Sequence, residues 1–210
     1  MNQKDMGEFK MPKFSIIIPA HNSSAYICNA LESIKSQTFK DYELIVICDS
    51  CNDNTEQIAK SYGAYTESVN YGRDGLTRNR GIEVATGEYI LFMDDDDWWL
   101  HEFVLQQLND KLNANPGTDI LCFSFIFKNW KYATPRGNEG NHWIAVWNKC
   151  WKREKFAENC RFSNEWSVSD VQFHRQAFSK SPKVIDWDMP MYYYNFMREG
   201  SITQTDRSKK

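Results

Sequence analysis

The pattern that most restricts this chain is an alternation. Apolar runs of strand length, Phe14 to Asn22 with its break at Pro19, Tyr42 to Cys48 and Glu88 to Met93, are separated by stretches whose apolar residues recur at helical spacing. A strand that is apolar throughout must be covered on both faces, the situation of a parallel sheet between helices. Asn22, Ser23 and Ser24 offer caps, and Ile27, Leu31 and Ile34 mark a helix reaching Gln37. Asp53 is placed to cap a short helix over 54–61, Ala64 to Val69 reads as a third strand, and Leu76 to Ala85 reads as a helix closed by Gly87. Right-handed crossovers then predict an α/β fold with a mostly parallel central sheet flanked by helices, whose ligand crevice lies beyond the carboxyl ends of the strands. Asn22, Asp49, the loop at Asn70 and Asp94 fall at those ends.

Beyond Trp98 the alternation fades. A helix bearing Phe103, Leu108 and Leu112 leads to a long strand from Asp119 to Phe127, and Ala133 to His142 reads as a mobile glycine- and proline-bearing loop. Residues 147–180 read as helical in pieces, and "KVIDW" and "MPMYYYNF" as two late strands. With no linker in sight, the expectation is one domain over 13–203 between a polar start, 1–12, and a polar tail, 204–210.

The run Asp94, Asp95, Asp96 and Asp97 is the chemical signal. Four adjacent carboxylates repel one another unless a cation sits among them. Delivered by a buried strand to the ligand edge of the sheet, they suit Mg²⁺ or Mn²⁺, hard ions that take few protein oxygens and complete their shell with water and phosphate. An EF-hand is excluded, since its 12-residue loop needs a central glycine that is absent here.

"FSIIIPAHNSSAYICNALESIKSQTFKDYELIVICDSCNDNT" and "TRNRGIEVATGEYILFMDDDDWW" resemble the signature blocks of family 2 glycosyltransferases of GT-A fold. The resemblance covers most of 14–100 and implies a nucleotide-sugar-binding half over 13–100 and an acceptor half over 101–203. It implies that Pro19, Ala20, His21 and Asn22 line the nucleotide pocket, that Asp49 accepts from the base, and that Arg78 sits near base and ribose. By the same resemblance Asp94 approaches ribose and metal, Asp96 is the main ligand of Mn²⁺ or Mg²⁺, and Asp95 holds the variable, nucleotide-side position. Asp97 either touches the diphosphate or donor sugar or anchors the turn. His21, Cys48 and "SCN" at 50–52 depart from the family's commoner residues.

Family members usually invert the anomeric carbon, with a carboxylate taking the acceptor's proton. "NEWSVSDVQFHRQAF" resembles the segment holding that base, with Asp170 as its match and Glu165 in reserve. "YYYNFMREGSIT" resembles a late block in which Arg198 contacts the diphosphate, where a guanidinium can meet two oxygens. Among the tryptophans, Trp99 and Trp166 are candidates for an acceptor platform, since an indole face suits a sugar ring. No Gln-x-x-Arg-Trp sequence is present, which points to addition of single sugars.

Composition narrows the partners. The 210 residues carry 28 acidic against 25 basic groups, so nothing suggests nucleic-acid binding. No run reaches the length of a membrane span, and the six cysteines without a secretory signal read as reduced thiols, so a cytoplasmic protein is expected, with peripheral contact at the inner membrane face and homo-oligomerisation left open. The expected partners are a nucleotide-sugar donor, a UDP-sugar by resemblance, and a glycan, lipid-linked or polymer acceptor. Two rivals stay open: a non-catalytic nucleotide-sugar or metal-binding module, and a nucleotidyltransferase, although "PAHNSSAY" lacks the glycine and lysine of a triphosphate loop.

Overall fold

A computed structural model describes residues 11–137, 140–165 and 169–196. The elements are β1 (Phe14–Ala20), α1 (Ile27–Lys35), β2 (Tyr42–Asp49), α2 (Thr55–Ser61), β3 (Tyr65–Val69), α3 (Asp74–Val84), β4 (Tyr89–Phe92) and β5 (Trp98–Trp99). They continue as α4 (Val104–Asn113), β6 (Ile120–Phe127), β7 (Lys131–Ala133), β8 (Lys149–Lys152), α5 (Arg153–Phe156), α6 (Ser169–Phe178) and β9 (Val184–Tyr194). One sheet runs β3-β2-β1-β4-β8-β6-β9-β5, with β7 on β6. The strands β3-β2-β1-β4 are parallel, as the apolar runs predict, and β1 is buried at every position. Past β4 the sheet is mixed: β8 is antiparallel to β4 and β6, while β6 and β9 are parallel.

Three elements differ from expectation. Lys149–Lys152 is not helical but a strand at mid-sheet, and the lysine that disguises it is fully buried, its ammonium donating to the carbonyls of Trp143 (2.7 Å) and Ala145 (2.6 Å) and to Asn148 Oδ1 (2.7 Å). The two expected late strands are one strand of eleven residues, because Pro190, which has no N–H, falls where the register with β6 shifts. The stretch read as a loop from Ala133 begins on β7 and carries an antiparallel bridge between Arg136 and His142.

Gly81 and Gly87 fix how closely helix and sheet approach. A Cβ at Gly81 would lie 2.3 Å from Ile17 Cγ2, and one at Gly87 would lie 2.6 Å from the Ser15 amide nitrogen. Gly87 therefore does not close α3, which ends at Val84; it lets the chain cross β1. Farther along, Phe92, Phe162 and Phe173 form an aromatic knot, with Phe162 and Phe173 stacked at 4.4 Å and Phe92 edge-on to Phe162 at 5.3 Å. Phe173 seats α6 on the end of β4, and Asp170 lies one helical turn before it.

Candidate active site

A cavity of about 720 Å³ opens beyond the carboxyl ends of β1, β2 and β4. Part of its wall is charged, with Asp49, Arg73, Asp74, Arg78, Asp94, Asp95, Asp96 and Asp170, and part is aromatic, with Phe125, Phe127, Trp143, Trp147 and Tyr194. Pro19, Ala20 and His21 line it as well, whereas Asn22 does not: its Oδ1 accepts from the Asn52 amide at 2.9 Å and its backbone is left-handed, φ 48°.

Asp49, at the end of β2, is an anchor for the loop into α3. Its carboxylate accepts from the amides of Tyr71 (2.8 Å), Gly72 (2.9 Å) and Arg73 (3.0 Å) and from the hydroxyls of Thr77 (2.9 Å) and Ser50 (3.0 Å). Burial pushes this carboxyl up, yet those donors outweigh it and hold the pKa below the ordinary value. The Thr77 and Ser50 hydroxyls each have a second acceptor, the Arg73 carbonyl and Asn70 Oδ1, so the three amides are the undivided donors to Asp49. Asp49 thus caps α3 through tertiary contacts, in place of a side-chain cap from the helix's own N-cap residue, while lining the cavity as expected of a nucleotide-side residue. Gly72, at φ 59°, adopts the left-handed turn that this convergence of amides requires.

The segment "TRNRG" divides its work residue by residue. Thr77 binds Asp49, Asn79 exchanges two 2.9 Å hydrogen bonds with the Phe162 backbone, and Gly81 admits Ile17. Arg78, 5% exposed, sits among three carboxylates: it pairs with Asp74, donates to Asp94 Oδ1 at 2.7 Å, and has Nη1 3.6 Å from Asp170 Oδ1. Burial opposes its charge, but these carboxylates prevail and raise its pKa. Asp74, absent from the sequence-based candidates, was legible only as the i,i+4 partner of Arg78.

The acidic run resolves into separate environments. Asp94, Asp95 and Asp96 line the cavity. Asp95 accepts from Ser23 Oγ and from the His21 amide at 3.4 Å, and burial first, then Asp96 and Asp94, push its pKa up to about 7. Asp97 is fully buried outside the cavity, accepting from Tyr192 Oη at 2.6 Å and the Asn195 amide at 2.8 Å. It anchors the turn, and the expected sugar or diphosphate contact is corrected. Tyr192 Oη also accepts from the Asp94 amide at 3.1 Å, so β9 holds both ends of the run.

Among the described residues no three carboxylates of the run meet at one point. An Mg²⁺- or Mn²⁺-like ion, commonly held by one or two carboxylates plus phosphate oxygens, fits such an open set.

Asp170, in the first turn of α6, reaches the cavity, and its pKa is pushed up to about 6, chiefly by burial, with Arg78 opposing and Asp74 and Asp94 adding. Glu165 is exposed and outside the lining. His174 stacks on Phe178 at 4.2 Å, with burial pushing its pKa down to about 4. Trp99 is 4% exposed, its backbone paired with Tyr192, so it presents no face to an acceptor, a correction that follows from its place in the core. Trp166 and Arg198 lie outside the described residues. All six cysteines are free thiols, and no described helix is long and apolar enough to cross a membrane.

The family model for glycosyl transferase family 2 matches residues 15–183. Glycosyltransferase GlyA of Streptococcus pneumoniae serotype 4 is 28% identical over 225 residues, covering 91% of this chain and 32% of that protein. Among solved structures, S. aureus TarS 1-349 in complex with UDP-GlcNAc superposes with a TM-score of 0.79 at 25% identity, over 92% of this chain and 61% of that one. Glucosyl-3-phosphoglycerate synthase from Mycobacterium tuberculosis, in complex with Mn²⁺, UDP and phosphoglyceric acid, shares the fold at 16% identity, with a TM-score of 0.67 over 93% of this chain and 74% of that one. The chain thus spans about a third of the length of GlyA and three-fifths of the TarS chain. With its motif residues around one crevice of a GT-A-like α/β sheet, this chain belongs to glycosyl transferase family 2.

Proposed function

We propose that the chain is the catalytic core of an inverting, non-processive glycosyltransferase. It moves one sugar from a UDP-sugar to a hydroxyl of a glycan, lipid-linked or polymer acceptor, at the cytoplasmic side of the membrane, in surface polysaccharide assembly. The observation that carries this reading is the meeting of Asp170, its pKa raised toward neutrality, with Asp94, Asp95 and Asp96 around one cavity. The UDP-GlcNAc bound by TarS and the Mn²⁺ and UDP of the mycobacterial enzyme support the donor and metal assignments.

In this reading Asp96 and Asp94 hold Mn²⁺ or Mg²⁺, which when bound neutralises the charge that grows on the departing diphosphate. Pro19, Ala20 and His21 flank the nucleoside. The loop pinned by Asp49 shapes that side, and Arg78 keeps Asp94 and Asp170 at fixed separation. Asp170 accepts the proton of the attacking acceptor hydroxyl, a task suited to a carboxylate whose pKa lies near working pH. The aromatic wall excludes water from the bond being made and offers flat carbon surfaces to the acceptor ring.

Thermal shift with UDP, UDP-sugars and their GDP counterparts, each with and without Mn²⁺, tests the reading, since a ligand that binds only the native state raises its stability. A metal-dependent rise with a UDP-sugar is expected, and Asp96→Asn should abolish the metal dependence. No metal-dependent shift with any nucleotide would overturn it. Metal-dependent donor binding without transfer or slow donor hydrolysis would instead identify a non-catalytic module.

A further inference from the structure

We propose that Cys122, His142 and Asp186 form a second metal site, suited to Zn²⁺ and separate from the acidic run, that fastens the aromatic wall of the cavity. Three different segments bring these residues together. Cys122 lies on β6 and Asp186 on β9, where the two are register partners, and His142 is bridged to Arg136 in the segment after β7. One ligand atom from each lies within 4.8 Å of the other two, and a His142 ring nitrogen is already 2.7 Å from Asp186 Oδ1. Tetrahedral zinc with bonds of about 2.0–2.3 Å needs ligand separations of roughly 3.3–3.7 Å. Side-chain rotations therefore suffice to close the set around an ion.

The donor chemistry selects the metal. A thiolate with an imidazole favours zinc or a similarly soft transition ion over Mg²⁺ or Mn²⁺, which prefer oxygen. Cys122 is fully buried, and His142 is kept neutral by burial, the form that ligates. The half-exposed rim at Asp186 and Arg136 leaves a path for entry and a place for a water as fourth ligand.

Two cations border the set, and neither occupies a ligand position. Arg136 Nε binds Asp186 Oδ2 at 2.6 Å, leaving Oδ1 toward His142. Lys149, the register partner of Cys122 on β8, has three acceptors of its own; burial pushes the Cys122 thiol up to about 12, and the Lys149 charge only opposes that rise. Binding breaks the Cys122 S–H bond and forms a sulfur–metal bond, the proton passing to solvent; no electron is transferred. Because His142 directly precedes Trp143, whose ring lines the cavity, an ion here would pin that wall to β6 and β9.

The test is a titration of the chelator-stripped full chain with Co²⁺, followed by displacement with Zn²⁺. One equivalent should bind with a cobalt–thiolate charge-transfer band, which Zn²⁺ abolishes. The band should vanish in Cys122→Ser, weaken at least tenfold in apparent affinity in His142→Ala, and persist in Asp96→Asn and Cys51→Ser. No band in the wild-type chain, or one that survives Cys122→Ser, would overturn the site. Should Cys122→Ser fail to fold, His142→Ala decides, with undiminished affinity counting against the proposal.

Discussion

Arg78 Nη1 lies 3.6 Å from Asp170 Oδ1, so a helix following β3 in the parallel part of the sheet holds the carboxylate that opens a helix almost a hundred residues later. That contact ties α3 to the start of α6 within the charged wall of the cavity.

Replacing Asp170 with Asn keeps the shape of the side chain and removes its ability to take a proton. Transfer should fall by about 10²–10⁴-fold, the usual worth of a general base. Calorimetric affinity for the donor with Mn²⁺ should stay within a few-fold of wild type. An equal loss of binding and turnover would remove Asp170 from the role of base.

The pH profile should report the same group. Only ionised Asp170 can accept a proton, so kcat/KM should fall below about pH 6, tenfold per unit once well under it. Stability runs the other way. A carboxyl whose folded pKa is raised contributes stability below its unfolded pKa, and that contribution is lost as pH rises through the folded value. Asp170→Asn should therefore raise Tm relative to wild type more at pH 7.5 than at pH 4.5, as differential scanning calorimetry would show.

Arg78→Met strips the cation from Asp74, Asp94 and Asp170. Breaking a buried charge network by removing one partner costs about 3–5 kcal/mol, and urea unfolding should detect a loss of that order. Arg78 also opposes the rise in the Asp170 pKa, so the acidic limb of kcat/KM should move to higher pH in this variant. An unmoved limb would separate Arg78 from Asp170.

Tyr192→Phe removes one oxygen that serves both ends of the acidic turn, donating to Asp97 and accepting from the Asp94 amide. A buried carboxylate deprived of one donor costs about 1–3 kcal/mol. Because Asp94 and Asp96 sit on that turn, the Mn²⁺ concentration for half-maximal activity should rise as well. Retention of both wild-type values would mean that the Asn195 amide alone holds Asp97.

Much of this arrangement was written in local pattern. β1, β2 and β4 are legible because a strand covered on both faces has to be apolar at every position, and the acidic run is legible because it follows such a strand directly. The motif residues at Thr77, Arg78 and Asn79 could be placed by resemblance, yet their partners could not, since Asp170 and Phe162 are distant in sequence. β8 was illegible because Lys149 reads as surface and becomes interior only when three oxygen acceptors close around it. Asp97 and Trp99 follow the same rule. A carboxylate in an acidic run and an indole beside it look available to a ligand, and only the packing of β9 against β5 buries them.

The sequence by itself determined the α/β alternation, the parallel half of the sheet and the residue types gathered at its carboxyl edge, because strand burial and helical spacing are local properties of the chain. Tertiary structure alone decided which of those residues face the cavity and which are consumed in holding it: Asp49, tied to the amides of 71–73, and Asp170, beside Arg78, face it, whereas Asp97 is taken up by Tyr192. The physical reason is that a carboxylate's role depends on which donors and charges surround it, and those come from segments whose meeting only the folded chain brings about.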